Sequence, residues 1–528
     1  MLDTLILGAG PAGCQMAYFL QRDGLPYLVL ERGKQAATFF SSYPQSGRLI
    51  SINKKHVGRE NPDFALRHDW NSLLSDDPTM RFTEFSDDYY PEKDDLHIYL
   101  NRFATHFKLK IRYECTVFRI QQTEEKTYIV HFKNKEKQYQ LPCKRLIVAT
   151  GLGLPMKPDV PVNVKKPIRH YAEFPKDFFL QKENLELYAN KSLLILGNGN
   201  SAYELANLLT PYCSSILIHG RRPKPWASST HYTGDLRSIY LPYLDTFLLK
   251  SLNAWNHCPQ AKLRLDQEAL ESKYILSYLC DEGCDVQHKF YEDSLEGFDE
   301  VIFCTGWKFD ASLYDFDFYV TNDEKYPMIT PYFEALNNPN LYFIGALGHS
   351  LDYKKSSGGF IHGFRYLVQF FYRFHFLKSF PTKAFSRKDS SSLVQHILER
   401  LNTASSLYQM YGYLCDFFYL KEDTIVYVSD ILKDYADSPE HRVETYSFLL
   451  SLEYGEDRVT DMYKLGQKVS DIGTEGKSTL LHPVLRIFQH NEDKRLLDIV
   501  HFDEDLLANF TFQQKYGDKF ERTLRAYV

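Results

Sequence analysis

The sequence lacks the features that would assign it to a membrane, secreted or nucleic-acid-binding class. No stretch approaches the run of about 18 apolar residues that crossing a membrane requires. The opening LDTLILGAG passes straight into a glycine turn, with no basic leader before it. The formal net charge is −6, so there is no excess of positive charge for a nucleic-acid backbone. We therefore expect a cytoplasmic protein with no membrane span and no nucleic-acid partner.

Cysteine is present but is not arranged for redox or metal chemistry. The nine cysteines show no framework spacing and form no Cys-x-x-Cys pair. Cys280 and Cys284 are the nearest to each other, with three residues between them where dithiol oxidoreductases have two. We expect a reducing compartment and no metal site. We interpret this pair as two ordinary thiols, with a redox pair as the alternative.

The sequence does contain an apolar strand and glycine turn that occur twice. In the first copy the residues LIL lead into a G-x-G-x-x-G turn and a helical run. This turn comprises Gly8, Gly10, Pro11, Ala12 and Gly13. Glycine here permits a tight turn, close approach of a pyrophosphate to a helix N-terminus, and close packing of helix on strand. A second strand, YLVL, is followed by Glu31, whose carboxylate can accept ribose hydroxyls, so we predict a dinucleotide site and favour FAD.

The second copy, LILGNGNSAYE, differs where the ribose carboxylate belongs. Its predicted cofactor contacts are Gly197, Gly199, Asn200, Ser201 and Glu204, with Ala202 at the third glycine position. The strand after it, SSILIHGRR, ends in Arg221 and Arg222 rather than in an acid. A carboxylate there would repel the 2′-phosphate of NADPH, whereas arginines pair with it. We predict NADPH as the second dinucleotide, with a solvated basic loop as the alternative for the two arginines.

Two dinucleotide sites indicate how this long chain is divided. RLIVATG and VIFCTGW are apolar strands that end in Thr-Gly, where the chain would cross between two nucleotide domains. We predict an α/β protein with two Rossmann-like dinucleotide-binding domains, the NADPH domain (161–325) inserted in a discontinuous FAD domain (1–160 and 326–380). The remainder, 381–528, is predicted to be a mainly helical C-terminal cap, because Leu393, Ile397 and Leu401 share one helical face. This cap is a candidate for the substrate entrance or for the surface of a homodimer.

Further cofactor contacts are expected elsewhere in the chain, several of them at strand ends and glycine turns, where dinucleotides bind in such sheets. These predicted contacts are Arg32, Arg48, Asn53, Val117, Thr150, Gly151, Thr305, Gly306, Gly345 and Gly359. Near the last two glycines, His349, Lys354, Lys355 and His362 are candidates for holding reduced flavin or an anionic substrate. A solvated loop is the favoured interpretation of these four.

The two turns resemble those of the two-dinucleotide-binding flavoproteins. GNGNSAYE resembles the G-x-G-x-S-x-x-E motif of the class B flavin-containing monooxygenases. That group's fingerprint between the two motifs is half present: His170 and Phe174 fit it in RHYAEF, but Val164 and Lys166 stand where Phe and Gly belong. Longer stretches, including FFSSYPQSGRLISINKKHVG, THYTGDLRSIY and HSLDYKKSSGGFIHGFRY, resemble the family of the endoplasmic-reticulum flavoprotein associated with degradation and its bacterial relatives.

The resemblance implies a chemistry and one catalytic residue. It implies that NADPH reduces FAD, that molecular oxygen adds to the flavin as a hydroperoxide, and that its distal oxygen passes to an amine nitrogen or a sulfur. It also implies that Asn53, in LISINK, lies beside the flavin. Asp69 and Asn71, in HDWNSLL, are further catalytic candidates on the substrate side. A turn asparagine and an N-cap aspartate are the alternatives for Asn53 and Asp69.

We therefore expect an NADPH-dependent FAD monooxygenase that acts on a small molecule and oxygen, for example by N-hydroxylation in a biosynthetic pathway. A dithiol or other flavin reductase on the same scaffold is one alternative, although a dithiol reductase needs a cysteine pair beside the flavin. A quality-control or scaffold protein that keeps FAD for structure and works through its C-terminal part is the other.

Overall fold

The computed structural model describes residues 1–157, 162–163, 168–220, 225–240, 256–259, 262–267, 274–279, 296–436, 445–455, 476–490, 494–505, 508–511 and 513–527. The strands are β1 (Leu2–Leu7), β2 (Leu28–Leu30), β3 (Ile111–Arg112), β4 (Cys115–Gln122), β5 (Tyr128–Asn134), β6 (Lys137–Val148), β7 (Leu154–Pro155), β8 (Val162–Asn163), β9 (Arg169–His170), β10 (Ser192–Leu196), β11 (Ser215–Gly220), β12 (Asn256–Pro259), β13 (Lys262–Gln267), β14 (Tyr274–Leu279), β15 (Glu296–Phe298), β16 (Glu300–Phe303), β17 (Trp307–Lys308), β18 (Glu334–Ala335), β19 (Asn338–Phe343), β20 (Thr382–Ser386), β21 (Leu414–Lys421), β22 (Thr424–Leu432), β23 (Tyr446–Glu453), β24 (His482–His490) and β25 (Lys494–His501). The α-helices are α1 (Pro11–Arg22), α2 (Pro62–Ala65), α3 (Lys93–His106), α4 (Lys182–Glu186), α5 (Asn200–Leu209), α6 (Ala227–Thr230), α7 (Ile361–Tyr372), α8 (Ser391–Thr403), α9 (Ser405–Gln409), α10 (Lys433–Ala436) and α11 (Asp518–Arg525).

The first sheet is built around the N-terminal strand and forms the first nucleotide unit. Its order is β18-β19-β6-β1-β2-β3, and β6 also pairs with the β4–β5 hairpin. Strand β1 pairs in parallel with β2 and β6. Its residues Leu5, Ile6 and Leu7 are buried, which explains why it reads as an uninterrupted apolar run. Helices α1 and α7 pack together, with the rings of Phe19 and Tyr372 stacked 5.3 Å apart.

The second sheet, of order β12-β11-β10-β16-β9, is entirely parallel and forms the second nucleotide unit with α5. A separate sheet of order β15-β14-β13-β8 lies in the same stretch of the chain. The segments that connect the two units pair as β7 and β17. Strands β18 and β19 then return to the first sheet. The prediction of two Rossmann-like units, with the second interrupting the first, is confirmed.

Helix α3 packs one apolar face on the core. Leu96, Tyr99, Leu100 and Phe103 recur at helical spacing and are all buried. None of the helices in the described part of the chain has both the length and the apolar character needed to cross a bilayer.

The prediction of a mainly helical C-terminal cap is wrong. The described residues after 381 form an antiparallel sheet of order β20-β22-β21-β23-β24-β25. The predicted helix does exist as α8, with Leu393, Ile397 and Leu401 buried, but it packs on this sheet. We call this part the C-terminal unit.

Burial on both faces explains the error. Along β21, Phe417 joins the core of the first nucleotide unit, while Phe418 joins the core formed with α8. Leu449 and Leu450 in β23 divide in the same way. A strand covered on both faces is a continuous apolar run, which periodicity cannot distinguish from a buried helix. The aromatic and β-branched content of LCDFFYLK and TIVYVSDIL was the signal for strands.

Candidate active site

The turn between β1 and α1 leaves one of its three glycines open to a ligand. A Cβ on Gly8 would lie 2.8 Å from the Ala149 carbonyl oxygen, and one on Gly13 would lie 2.0 Å from the Gly8 carbonyl oxygen. The fold itself therefore requires glycine at both positions. A Cβ on Gly10 would meet no protein atom closer than 4.0 Å, and no side chain caps the helix that begins after it. This open, uncapped helix N-terminus fits an anionic group such as a pyrophosphate.

The carboxylate predicted to meet the ribose lies beside this turn. Glu31 directly follows β2 and is buried. Its carboxylate accepts hydrogen bonds from the backbone N–H groups of Ala9 and Gly33, both at 2.8 Å, and from the Thr38 hydroxyl at 3.0 Å. These bonds fix its position next to the glycine turn. Arg32, the next residue, is exposed.

The second glycine turn repeats the first position by position. A Cβ on Gly197 would lie 2.3 Å from the Cys304 carbonyl oxygen, whereas one on Gly199 would meet nothing within 4 Å. Gly199 precedes α5, which also has no side-chain cap. Ala202 at the third position is fully buried. This turn therefore also leaves an open, uncapped helix N-terminus that fits a second pyrophosphate. Arg221 and Arg222 lie outside the described residues.

The two Thr-Gly pairs lie where the chain passes between the nucleotide units. Thr150 and Gly151 follow β6, and Thr305 and Gly306 follow β16. Both glycines have positive φ, of 69° and 85°, which favours glycine at the sharp exit from each strand. The Thr305 hydroxyl donates to the Met156 carbonyl and so links the two crossing segments.

The other predicted cofactor residues are spread more widely. A Cβ on Gly345 would lie 2.4 Å from that of Ala12, so glycine lets the loop after β19 approach the start of α1. Gly359 lies on the wall of the large cavity between the two turns. Arg48 is exposed, and Val117 lies inside β4 rather than at the end of a strand, as the sequence had suggested.

One cavity of about 570 Å³ joins the two turns. Predicted cofactor residues from both units line it, namely Gly10, Pro11, Ala12, Thr150, Gly151, Asn200, Ser201, Glu204 and Gly359. Aromatic side chains form much of the remaining wall, namely Phe39, Phe40, Tyr43, Trp70, Tyr240, Trp307, Phe360 and Phe364. Reacting groups must come within about 3–3.5 Å of one another. A shared cavity is therefore what hydride transfer between two bound dinucleotides needs.

The three predicted catalytic residues occupy different places around this cavity. Asn71 lines it, but Asn53 and Asp69 are not among its lining residues. The Asn53 side-chain amide donates to the Ser86 carbonyl at 2.7 Å. The Asp69 carboxylate accepts the backbone N–H groups of Asn71 at 3.0 Å and Ser72 at 2.9 Å. Asp69 thus forms the turn that presents Asn71 to the cavity.

The sequence analysis missed an arginine on the cavity wall. Arg237 lies in THYTGDLRSIY, where no motif marks it and only the family resemblance drew attention to the stretch. Its guanidinium carbon lies 5.1 Å from the centroid of the Trp70 ring. The His362 ring also lies on this wall and stacks on the Trp70 ring, with the two ring centroids 4.2 Å apart.

Burial sets the charges of the cavity. Glu204 is buried and accepts a hydrogen bond from the Ser46 hydroxyl, and burial raises the pKa of its carboxyl to about 7. Burial holds the pKa of His362 well below its usual value, so that imidazole is neutral. Burial also lowers the pKa of Arg237, although an arginine remains charged at neutral pH. Lys354 and Lys355, by contrast, are exposed.

The half-present fingerprint lies close to Trp307 on the cavity wall. His170 and Phe174 are both buried, and burial lowers the pKa of His170 to about 4. The His170 ring lies 5.9 Å from that of Trp307 on the cavity wall. Val164 and Lys166 lie outside the described residues.

Two interlocked Rossmann-like units, each with an open glycine turn on one shared cavity, define a flavoprotein oxidoreductase that works with a nicotinamide nucleotide. The family model of the pyridine nucleotide-disulphide oxidoreductases matches residues 5–345. FAD-dependent oxidoreductase domain-containing protein 2 of Mus musculus is 33% identical to the chain, over 96% of this chain and 81% of its own length. The chain therefore belongs to the pyridine nucleotide-disulphide oxidoreductase family and is an NAD(P)H-dependent flavoprotein oxidoreductase, with FAD and NADPH as its cofactors.

Solved structures show the same fold with different reactions. A flavin-containing monooxygenase from Stenotrophomonas maltophilia is 18% identical, with a TM-score of 0.52 over 71% of this chain and 98% of its own. A bacillithiol disulfide reductase from Bacillus cereus is 16% identical, with a TM-score of 0.50 over 70% of this chain and 98% of its own. Because both reactions occur on this fold, the choice between them depends on the cavity.

Proposed function

We propose that the chain is an NADPH-dependent monooxygenase that transfers one atom of molecular oxygen to an amine nitrogen or a sulfur of a small substrate. The observation that carries the proposal is the composition of the shared cavity, whose described lining residues include many aromatic rings and no cysteine. When bound, FAD accepts hydride from NADPH and, once reduced, activates oxygen. N-hydroxylation in a biosynthetic pathway is the reaction we favour.

We assign the binding of each cofactor to one turn. The open Gly10 position and the N-terminus of α1 receive the pyrophosphate of FAD, and Glu31 binds its ribose. Gly199 and the N-terminus of α5 receive the pyrophosphate of NADPH. Arg221 and Arg222 remain our candidates for its 2′-phosphate.

The wall of the cavity has two further tasks. Its aromatic rings pack edge to face, with Tyr43 and Trp307 5.5 Å apart and Phe39 and Trp307 5.7 Å apart, and so exclude water from the reacting atoms. The Glu204 carboxyl, with a pKa of about 7, can take up or release a proton at neutral pH. Asn71 faces the substrate side, while Asn53 and Asp69 support that wall from behind.

A dithiol reductase is the rival that the same fold allows. It needs two cysteines beside the flavin, and the described cysteines offer none there. Cys14 and Cys304 are buried away from the cavity lining, and burial raises the pKa of the Cys14 thiol to about 12. An inert thiol of this kind is structural. Cys280 and Cys284 lie outside the described residues.

The test is to mix the purified, FAD-loaded protein with NADPH in air and to follow flavin absorbance, oxygen uptake and peroxide. We expect NADPH to reduce the flavin about 10- to 100-fold more efficiently than NADH, the range for a charge-assisted contact to phosphate. We expect a substrate amine or thioether to replace peroxide with an oxygenated product. A flavin that consumes no oxygen, or that reduces disulfides in its place, would contradict the proposal.

A further inference from the structure

One corner of the cavity carries a positive charge that no carboxylate among the described residues balances. Among the described residues that line the cavity, Arg237 is the single lysine or arginine. Its electrostatic neighbours are the phenols of Tyr90, Tyr89 and Tyr240, with no carboxylate among them. A partly desolvated cation without a counter-charge is costly, so such a group is expected to pair with an anion from outside.

The guanidinium of Arg237 is held in a fixed position before any ligand arrives. Its Nη1 donates to the Ile50 carbonyl at 3.1 Å. Its backbone N–H donates to the side-chain oxygen of Asn200 at 3.0 Å, which ties it to the start of α5. The Trp70 ring lies 5.1 Å below the guanidinium carbon. A group that is already oriented loses little freedom when it binds a ligand.

The other ionic groups at the cavity do not supply the anion that pairs with Arg237. Glu204 is the single carboxyl among the described lining residues, and because burial raises its pKa to about 7, it is about half protonated at that pH and largely neutral below about pH 6. The pyrophosphates of the two cofactors already have the open turns at Gly10 and Gly199. An anionic group of the substrate is then the partner left for Arg237.

Beside Arg237, His362 is a second group that awaits a partner. It is buried, and neither of its ring nitrogens has a hydrogen-bond partner among the residues that the structure describes. A neutral imidazole donates one hydrogen bond and accepts another. Its ring lies between those of Trp70, at 4.2 Å, and Phe360, at 5.8 Å, so the corner is polar at one point and flat and aromatic around it.

We propose that Arg237, Trp70 and His362 form a subsite for the carboxylate of an aromatic substrate. The guanidinium pairs with the carboxylate and the imidazole supplies a hydrogen bond, while Trp70 packs against both of these groups. The other aromatic rings that line the cavity cover the planar body of the substrate. This inference rests on the proposed function, because it names the class of molecule that the oxygenation site would hold.

The experiment compares two probes of nearly equal size, 3-phenylpropionate and 3-phenylpropanamide, on the FAD-loaded protein without NADPH. Binding is followed by the change in flavin absorbance and by calorimetry. We expect the acid to bind about 10- to 100-fold more tightly than the amide, as a charge-assisted pair allows. Arg237→Gln should remove that difference, whereas Arg237→Lys should retain part of it, because lysine keeps the charge but loses the planar fork.

Control variants separate a substrate subsite from a cofactor contact. Arg102→Gln, on the exposed face of α3, should leave the acid–amide difference unchanged. If the acid fails to bind, or binds no better than the amide, the subsite is refuted. It is equally refuted if Arg237→Gln weakens NADPH binding tenfold and leaves the acid–amide difference intact, since the arginine would then serve a cofactor phosphate. Because the readout is binding without turnover, loss of the proposed oxygenation would not affect it.

Discussion

At the scale of single residues, the glycines of each turn differ in what a side chain at that position would meet. Gly8 and Gly13 are restricted by backbone atoms of the protein, whereas Gly10 is not. The sequence motif presents them as equivalent. The structure separates positions that the fold needs from the position that a ligand needs.

Gly10→Val should therefore abolish FAD retention and leave the fold intact, because the added side chain enters the open pyrophosphate position. Gly13→Val should lose both FAD and the native fold, since its Cβ would lie 2.0 Å from a backbone oxygen. The measurement is the flavin-to-protein absorbance ratio together with circular dichroism. A folded Gly10→Val protein that remains yellow would contradict the assignment of this turn.

The buried Glu204 carboxyl should make the free energy of unfolding depend on pH. Its pKa is raised from 4.5 to about 7 in the folded protein, mainly by burial. Between these values the folded state holds a proton that the unfolded state has released, so the free energy of unfolding falls as pH rises. The rise of the pKa from 4.5 to about 7 corresponds to about 3 kcal/mol of stability, which is lost between pH 4.5 and about 7.

Glu204→Gln should remove that contribution. The free energy of unfolding of the variant, relative to that of the original protein, should therefore rise by about 3 kcal/mol between pH 4.5 and pH 8. Denaturant unfolding at the two pH values measures it. Glu183→Gln, at an exposed position in α4, is the matched control and should show no such change. If the difference in free energy of unfolding between Glu204→Gln and the original protein stays constant with pH, the pKa of the Glu204 carboxyl is not raised in the folded protein.

At the scale of elements, the loop that carries Trp70 is clamped by the C-terminal unit. Arg67 is buried, and its guanidinium donates to the carbonyls of Leu401 at 2.7 Å and Ala404 at 3.1 Å, at the end of α8. Its own carbonyl accepts hydrogen bonds from the Gln409 side chain at 2.7 Å and from the Trp70 indole at 3.2 Å. The C-terminal unit thereby positions one wall of the cavity.

The first nucleotide unit holds the same loop from the other side. Arg365 in α7 donates to the carbonyls of Leu66 at 2.7 Å, Ser72 at 2.8 Å and Asp69 at 3.0 Å. Two buried arginines thus satisfy the carbonyls of a loop and of a helix end that otherwise have no regular structure to pair with.

Arg67→Met should lower the free energy of unfolding by roughly 1–3 kcal/mol, because it leaves buried carbonyls without donors. Arg59→Met removes one 3.3 Å hydrogen bond to the Asn402 carbonyl and a contact with the Phe64 ring at 4.1 Å, both from a less buried position, and should cost less. Denaturant unfolding of the two variants measures the difference. Equal losses would mean that the Arg67 clamp contributes nothing beyond a surface contact.

At the scale of the whole molecule, a few hydrogen bonds between buried or cavity-lining side chains join the two nucleotide units. The Tyr43 hydroxyl lies 2.6 Å from that of Ser201 in α5. The Tyr232 hydroxyl lies 2.9 Å from Nε2 of His349, whose Nδ1 lies 2.7 Å from the Asp352 carboxylate. These contacts fix the two turns on either side of one cavity.

Tyr232→Phe should lower the free energy of unfolding by roughly 1–3 kcal/mol, because it leaves a buried imidazole nitrogen without its partner. Tyr319→Phe is the matched control, because this tyrosine is 54% exposed and its loss should fall within roughly 0.5 kcal/mol of zero. If both substitutions cost the same, the Tyr232–His349 contact does not hold the units together.

The sequence by itself determined the two strand–turn–helix motifs, the buried carboxylate after the second strand and the order in which the two units interrupt each other. The motifs and the carboxylate depend on contacts between residues close in the chain, such as Gly8 with Gly13, and a local pattern specifies them. The interruption could be read from the order of the motifs along the chain. Helix α8 was readable for the same reason. The C-terminal sheet was not, because Phe417 and Phe418 are both buried and only the pairing of distant strands decides that they face opposite sides. Tertiary structure alone placed Asn71 and Arg237 among the residues that line the cavity and left Asn53 out of that lining. It alone brought no carboxylate of a described residue to Arg237, since the charge of a cavity depends on which distant residues the fold brings near it.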